Sequence, residues 1–504
     1  MIRPSRLDFI ASAKTGHVLP VLKDLAADRL TPIDAFYALG ASYLLESAGG
    51  GAFGRYSFLG VDIVASLRIE GEEVKWRDED GERAFRARDP VRSIGDLMRS
   101  RPWDGEGDLS PFPGGAVGYL GYDAARLWER LPDVSGKAGP DTPDGLFMIS
   151  RYTLVFDNLM HSLRIVCNQR IGEDPEADYV DAIRGIEGIE AKLERADLGR
   201  DHSRRPPVVG ELSSDIDQAT FEAGVRKAKS LIEEGEAIQI VLSRSFTADF
   251  DGSPFDVYRA LRSINPSPYM FYLDFGEFVL LGASPEVMVR VEDGKAVLRP
   301  IAGTKPRGKD AIEDAALRVE LLADEKERAE HTMLIDLARN DLGRVAKPGS
   351  VSVDRMMEVE YYSHVMHIVS EVSCRLAQDV DIYDVIRATF PAGTVSGAPK
   401  IRAMEIIDGI EAERRGPYAG LVGYFSYRGG FDSCIAIRSA LVKDGKIRVQ
   451  AGAGIVYDSV PEREFEETAA KAAAMLAAAG AARIAGAGAG AGAGAPKIAT
   501  KARG

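Results

Sequence analysis

Gln450-Ala-Gly-Ala-Gly454-Ile-Val-Tyr-Asp458-Ser-Val-Pro461-Glu-Arg-Glu464-Phe-Glu-Glu467-Thr-Ala-Ala-Lys471 is the stretch on which the reading of this 504-residue chain turns. A β-forming run, Ile447 to Gln450, leads into glycines at alternate positions, where backbone N–H groups are open to close approach by a ligand. Pro461 then opens a helix whose first turns are acidic, as the helix dipole favours. Glu464, Glu467 and Lys471 stand at i, i+3 and i+7 and share one helix face. Backbone donors and paired carboxylates arrive together. Taken alone, the stretch fits a glycine turn capping a solvated acidic helix equally well.

A second acidic helix is expected around Glu320–Asp341. There Glu330, Met333, Leu334 and Leu337 fall at i, i+3, i+4 and i+7, which sets a carboxylate on the apolar stripe, and Glu327 lies one turn earlier. A buried carboxylate needs a cation or hydrogen-bond donors, and an arginine is the commonest answer. Glu464 and Glu467 instead offer a matching set of oxygens, and hard oxygen ligands from two helices suit Mg²⁺. The Glu-x-x-His of a di-iron site is absent from both helices.

Between these helices, Asp293-Gly294 and Asp444-Gly445 sit among β-forming residues and predict tight antiparallel hairpins. Nearer the N-terminus, helices are expected at Pro20–Arg29 and Pro32–Leu39. Strands are expected at Tyr43–Leu45, Tyr56–Ile69, Gly115–Gly121 and Leu146–Cys167, and a surface helix from Pro175 to Ala196. Hairpins among helices indicate an α+β fold on antiparallel β-sheet. Residues 1–196 form one region, the polar, Pro-containing 197–215 a linker, and 216–479 a second region. The Ala/Gly-rich 480–504 reads as a disordered tail.

The formal charge of −14 argues against sequence-independent nucleic-acid binding, which needs basic surface. No apolar run approaches a membrane span and no signal-peptide h-region opens the chain. Cys167, Cys374 and Cys434 form neither a CxxC nor an even framework, so a reducing cytoplasm is the expected compartment. Chemistry near neutral pH is most easily served by imidazole. His331, His364 and His367 are candidates, the last two at i, i+3 on an expected helix, although a lone histidine is commonly a packed core residue. Arg438, Lys400 and Thr304 are candidate anion contacts, a guanidinium being able to grip a carboxylate bidentately. GTVSGAPK at 393–400 lacks the spacing of a phosphate loop, and G-x-S-x-G is absent.

Seven motifs occur in order. They are SPE at Ser284–Glu286, PIAGT at Pro300–Thr304, AEHTMLIDLARND at Ala329–Asp341, HVMHIVS at His364–Ser370, GTVSGAPK at Gly393–Lys400, CIAIRSA at Cys434–Ala440 and QAGAGIVYDSVPEREFEET at Gln450–Thr468. Together they resemble the chorismate-utilising enzymes, most closely anthranilate synthase component I. The resemblance implies the chorismate-binding fold, with sandwich-like antiparallel β-sheets covered by helices. It implies Glu330 and Glu467 as Mg²⁺ ligands, and Gly303, Thr304, Tyr418, Arg438, Gly452, Ala453 and Gly454 as substrate contacts. Glu286 matches a general acid for the departing 4-hydroxyl, His367 the histidine of pyruvate elimination, and Thr394 a neighbour of the ring.

The lysine that activates water in isochorismate and salicylate synthases is replaced by Gln239, and the lysine of aminodeoxychorismate synthases by Ala302. The resemblance then implies ammonia as the nucleophile, supplied from glutamine by a separate amidotransferase small subunit, with a heterotetramer of two large and two small subunits as the expected assembly. Ser42-Tyr-Leu-Leu-Glu-Ser47 and Asn265-Pro-Ser-Pro-Tyr-Met270 resemble a tryptophan-binding motif, with Ser47, Pro268, Tyr269 and Met270 forming the feedback pocket of the N-terminal regulatory region. Aminodeoxychorismate synthase component I and a non-catalytic tryptophan-responsive homologue stand as the alternatives.

Overall fold

Two strands, Tyr56–Glu70 and Gly145–Asp157, are long enough to belong to two sheets at once. Their ladder runs from Tyr56 opposite Asp157 to Ile69 opposite Gly145 and slips between Ile63 and Ala65. Asp62, beside the slip, adopts a left-handed φ of 63°. Such an irregularity re-aims a strand and lets each half feed a different sheet. The structure, a computed structural model, describes residues 2–47, 54–107, 110–134, 136–196, 207–362 and 365–480. The expected tail beyond Gly480 lies outside them.

From the shared pair, the first sheet runs one way through Ser162–Arg170 to Val18–Ala26. The other way it runs through Tyr43–Glu46, Tyr269–Asp274, Val279–Ser284, Ser439–Lys443 and Lys446–Ile455 to Gln239–Asp251. The second sheet takes Glu73–Asp78 on one side. On the other it continues through Gly115–Leu120, Leu421–Ser426, Phe431–Ile435, Val287–Glu292, Lys295–Leu298 and Val365–Arg375 to Ser352–Tyr361. Every one of these pairings is antiparallel. Strands from before residue 196 and after residue 216 thus lie side by side in both sheets.

Strand periodicity sorts the side chains into layers. Tyr43, Phe58, Phe271 and Leu273 of the first sheet meet Val117, Tyr119 and Val422 of the second in one core between them. Their alternates, Leu44, Leu59, Met270 and Tyr272, pack outward under helices Pro32–Leu39, Pro175–Glu194, Pro254–Ile264 and Pro461–Ala478. Ala116, Leu120 and Leu421 pack outward under Ser93–Arg99, Glu325–Gly343 and Ile382–Thr389. The result is helix, sheet, sheet, helix, the α+β sandwich expected from the sequence. No described helix is long and apolar enough to cross a membrane.

Both Asp-Gly hairpins form. Asp293 and Gly294 have φ of 49° and 70°, and Asp444 and Gly445 of 50° and 68°, the paired left-handed geometry of a two-residue hairpin turn. The helix expected at Pro20–Arg29 is instead part of strand Val18–Ala26. Val18 to Leu22 are all buried because both faces of this strand are covered, so the alternation that marks a strand is missing. Within the expected linker, Val208–Val209 and Ser213–Ser214 pair with the outer end of Gln239–Asp251.

Candidate active site

Helices Glu325–Gly343 and Pro461–Ala478, with the inner ends of Gln239–Asp251 and Lys446–Ile455, enclose a cavity of about 620 Å³. That is the size of a small-molecule site, commonly about 300–1,000 Å³. Glu327 and Glu330 face it from the first helix, and Glu464, Glu467 and Lys471 from the second. The acidic first turn and the i, i+3, i+7 spacing therefore do deliver these groups to one place. Burial raises the carboxyl pKa of Glu327, with Glu330 and Asp324 adding repulsion. Burial likewise raises that of Glu464, with Glu467 adding to it. Lys471 Nζ answers Glu467 Oε1 at 2.6 Å. Among the described residues, no three His, Cys, Asp or Glu side chains are gathered tightly enough to hold a metal unaided.

Glu286 follows strand Val279–Ser284 and projects into the same cavity. Thr394, in the short helical turn Gly393–Val395, donates its hydroxyl to Glu286 Oε2 at 2.8 Å. Burial pushes the Glu286 carboxyl above its usual range, against the pull of Thr394, Lys471 and Arg438. A carboxyl held toward its protonated form is a proton donor in waiting.

His367 comes from a strand, Val365–Arg375, and not from the helix expected for it; His364 lies outside the described residues. The strand is central, between Ile301–Pro306 and Ser352–Tyr361, and Met366 and Ile368 are buried on its opposite face. A period of two was hidden by the i, i+3 spacing of the histidines. His367 Nδ1 lies 3.1 Å from the Gly303 carbonyl and 3.0 Å from Thr304 Oγ1. A carbonyl only accepts, so Nδ1 carries the hydrogen and Nε2 keeps its lone pair. Burial lowers the pKa of the ring, which favours this neutral form. Gly303 sits at a register slip with φ of 62°, and a Cβ there would come 3.2 Å from Glu327 Oε2.

Gly452 and Gly454 form a bare trough. Opposite them, Val241 N–H bonds the Ser396 carbonyl at 2.9 Å and Ser243 N–H bonds Glu411 Oε1 at 2.7 Å, so neither serves the ladder to Lys446–Ile455. In an antiparallel pair the facing residues then turn their own amides outward as well. The next strand, Ser439–Lys443, pairs no further than Val449, which leaves the Gly452 and Gly454 amides directed past its end into the cavity. Lys471 Nζ meets the Gly452 carbonyl there at 3.0 Å. Ala453 alternates to the other face, where its side chain is buried among Ile240, Leu242 and Ile455. Tyr418 stands over the trough, its hydroxyl kept protonated by burial at a pKa of about 12. Arg438, at a left-handed φ of 51°, donates from Nη1 to the Lys471 carbonyl at 2.6 Å.

Two candidates fall elsewhere. Lys400 is buried on Asp341 Oδ2 and the Thr389 carbonyl, each at 2.8 Å, and His331 on Ser370 Oγ at 2.7 Å, its pKa dropped to about 4 by burial. Lys326 and Gln450 line the cavity without having been singled out from the sequence. Their placement depends on contacts between distant segments, and no local pattern marks them.

Ser47, Pro268, Tyr269 and Met270 meet at a second cavity of about 120 Å³, which also touches Leu45 and Phe58 of the first sheet and Val422 and Asp432 of the second. Tyr269 donates to Asp432 Oδ1 at 2.8 Å, and burial raises that carboxyl to about 6.

Known proteins place the chain. The pattern of the chorismate binding enzymes matches residues 40–477. Anthranilate synthase component 1 of Acetivibrio thermocellus is 42% identical over 487 residues, covering 95% of this chain and 98% of the relative. That of Aquifex aeolicus is 44% identical over 472 residues, covering 92% and 94%. The crystal structure of anthranilate synthase component I from Streptococcus pneumoniae superposes with a TM-score of 0.74 at 36% identity, covering 90% of this chain and 98% of that one. The menaquinone-specific isochorismate synthase of Escherichia coli shares the fold, with a TM-score of 0.71 at 20% identity. Matched by the family pattern over most of its length and similar in sequence and fold to these relatives, the chain belongs to the chorismate binding enzyme family.

Proposed function

We propose that the chain is the large, ammonia-using subunit of an anthranilate synthase, converting chorismate and ammonia to anthranilate and pyruvate. The observation that carries this reading is one cavity lined together by a raised carboxyl, Glu286, a neutral imidazole, His367, and the glycine trough. In the first step ammonia's lone pair forms the C–N bond at C2, the ring double bonds shift, and the C4–O bond breaks. Glu286 supplies the proton that lets the hydroxyl leave as water. In the second step His367 Nε2 takes the proton from C2. Those electrons form the C2=C3 bond and complete the aromatic ring, the C3–O bond breaks, and pyruvate departs as its enolate, which takes up a proton from water.

The Gly452 and Gly454 amides, the Tyr418 hydroxyl and Arg438 suit the substrate carboxylates. The carboxylate pairs of the two helices, with Glu327 and Glu464 held above the usual range chiefly by burial, fit Mg²⁺, an ion that takes one or two carboxylates and fills its shell with water and substrate oxygens. Glu330 and Glu467 would hold it, and it would orient and polarise the ring carboxylate. The second cavity suits tryptophan as a feedback inhibitor. Ammonia would come from glutamine through a glutaminase small subunit, in a two-plus-two assembly. Free Cys167, Cys374 and Cys434 are buried, and their burial suits no glutaminase nucleophile.

The test is anthranilate fluorescence from chorismate, Mg²⁺ and ammonium, with and without EDTA and tryptophan. Signal lost with EDTA and reduced by tryptophan is expected. An amino-chorismate that never aromatises would favour aminodeoxychorismate synthase instead.

A further inference from the structure

Val241 and Val395 line the cavity from two separate segments, strand Gln239–Asp251 and the turn Gly393–Val395, whose backbones match only in part. Val241 N–H reaches the Ser396 carbonyl, but the Val241 and Val395 carbonyls are both acceptors and cannot bond one another. A buried guanidinium joins them. Arg415 Nη1 donates to the Val395 carbonyl at 2.6 Å, and Nη2 to the Val241 carbonyl at 2.7 Å. Glu411 holds that guanidinium bidentately, accepting Nε on Oε2 at 2.9 Å and Nη2 on Oε1 at 2.6 Å. Glu411 Oε1 also accepts the Ser243 N–H at 2.7 Å and the Ser243 hydroxyl at 2.9 Å. Ser243 Oγ in turn accepts Gln450 Nε2 at 2.9 Å. The Arg415 and Glu411 side chains are 2% and 8% exposed, and neither residue lines the cavity.

Taking two charges out of water offsets most of their attraction, so a buried ion pair adds little net stability. What this pair supplies is position. Val395 carries its neighbour Thr394, whose hydroxyl meets Glu286, and Val241 stands opposite Gly454 in the ladder. We infer that the Glu411–Arg415 ion pair is a positioning unit of the active site, locking the Thr394 turn against the trough strand so that Thr394 stays on the Glu286 carboxyl. This rests on the proposed function, in which Glu286 is the acid. A lysine ammonium is a single point of charge and cannot span both carbonyls while keeping the carboxylate.

The pH profile of kcat/KM for anthranilate formation tests this on the full chain. Arg415→Lys should move the alkaline limb to higher pH, as removal of the Thr394 hydroxyl should, and lower kcat/KM by about tenfold or more, the loss of one charge-assisted hydrogen bond. Lys471 and Arg438, the cations that pull on Glu286 directly, are untouched. Glu411→Gln, which keeps an acceptor for Ser243, should give a smaller shift in the same direction. Combined with Thr394→Val, either change should add no further shift, and the losses should fall well short of multiplying, because both act on one hydrogen bond. Losses that multiply overturn the inference. So does a lower urea midpoint with the limb left at its wild-type pH, the mark of a role in stability alone. If Arg415→Lys fails to fold by circular dichroism, Glu411→Gln decides; if neither folds, the pair serves the fold and the inference falls. Wild-type protein that makes no anthranilate would sink the proposed function itself, whereas an active wild type with multiplying losses sinks only this positioning role.

Discussion

Tyr269 and Ser284 stand directly opposite one another in the ladder between Tyr269–Asp274 and Val279–Ser284. Tyr269 lines the second cavity, and Ser284 Oγ accepts the backbone N–H of Glu286 at 3.3 Å. From the other sheet, Cys434 of that cavity lies opposite Val287, and the next N–H, of Ile435, bonds the Glu286 carbonyl at 3.0 Å. The backbone of Glu286 is thus hung between Val279–Ser284, whose ladder partner Tyr269 lines the second cavity, and Phe431–Ile435, which lines it through Asp432 and Cys434. A ligand that spread these strands would displace Glu286, a continuous physical route for the proposed feedback inhibition.

Ser47 gives this route its first test. The residue lines the second cavity, and its hydroxyl oxygen is buried without a partner among the described residues. Ser47→Ala should raise the tryptophan concentration for half-inhibition by about 5–30-fold, the worth of a buried hydrogen bond. Uninhibited turnover should be unchanged. Equal sensitivity to tryptophan in both proteins would remove Ser47 from the inhibitor site.

Thr394→Val removes the hydroxyl that stabilises the ionised form of Glu286. The Glu286 pKa should rise further, so the alkaline limb of the kcat/KM profile moves to higher pH while kcat falls. Glu286→Gln should cost about 10²–10⁴-fold, the usual worth of general acid catalysis. A Thr394→Val profile superimposable on the wild type would show that the acid is another group.

His367→Ala should separate the two chemical steps. In the proposed mechanism amination relies on Glu286 and not on His367, so an amino-chorismate should accumulate by mass spectrometry while anthranilate formation drops by about 10²–10⁴-fold. Because burial lowers the pKa of His367, its neutral form persists below the ordinary imidazole range. The acid limb of the elimination should therefore lie below about pH 6.5. If the variant loses both steps equally, His367 acts in amination too.

Much of this was written in the chain, and the exceptions have causes. The acidic faces of Glu325–Gly343 and Pro461–Ala478 were legible because helical spacing is local. So were the Asp-Gly hairpins, whose left-handed backbone selects those residues. Strand Val18–Ala26 was not, since its partner Ser162–Arg170 lies far along the chain and its covered faces erase the alternation. His367 was misplaced onto a helix for a related reason: both its neighbours, Thr304 and Glu360, are supplied by other strands. The Gln450–Ser243–Glu411 chain joins segments more than 160 residues apart and left no signal in any window.

The metal prediction follows from the paired carboxylates. Glu467→Gln should raise the Mg²⁺ needed for half-maximal activity by about tenfold or more, since one hard oxygen ligand is lost. It also releases Lys471 from its ion pair, so Glu330→Gln is the cleaner companion. Tryptophan binding by calorimetry should be unaffected in both. Full activity at wild-type Mg²⁺ in the two variants would show that these glutamates do not hold the ion.

Asp432 makes a prediction about stability. Burial raises its pKa from 3.8 to about 6 in the folded chain, and Tyr269 bonds it. A carboxyl raised on folding favours the fold while protonated, so its contribution is full below about pH 4 and is lost as pH climbs through about 6. At pH 8 the buried charge then works against the fold, by about 1–3 kcal/mol for a shift of some two pK units. Asp432→Asn keeps an acceptor for Tyr269 and has no charge to bury. It should unfold at higher urea than the wild type at pH 8, and the advantage should shrink toward pH 4. A variant equally destabilised at both pH values would mean that Arg290, which opposes the shift, already neutralises the carboxylate.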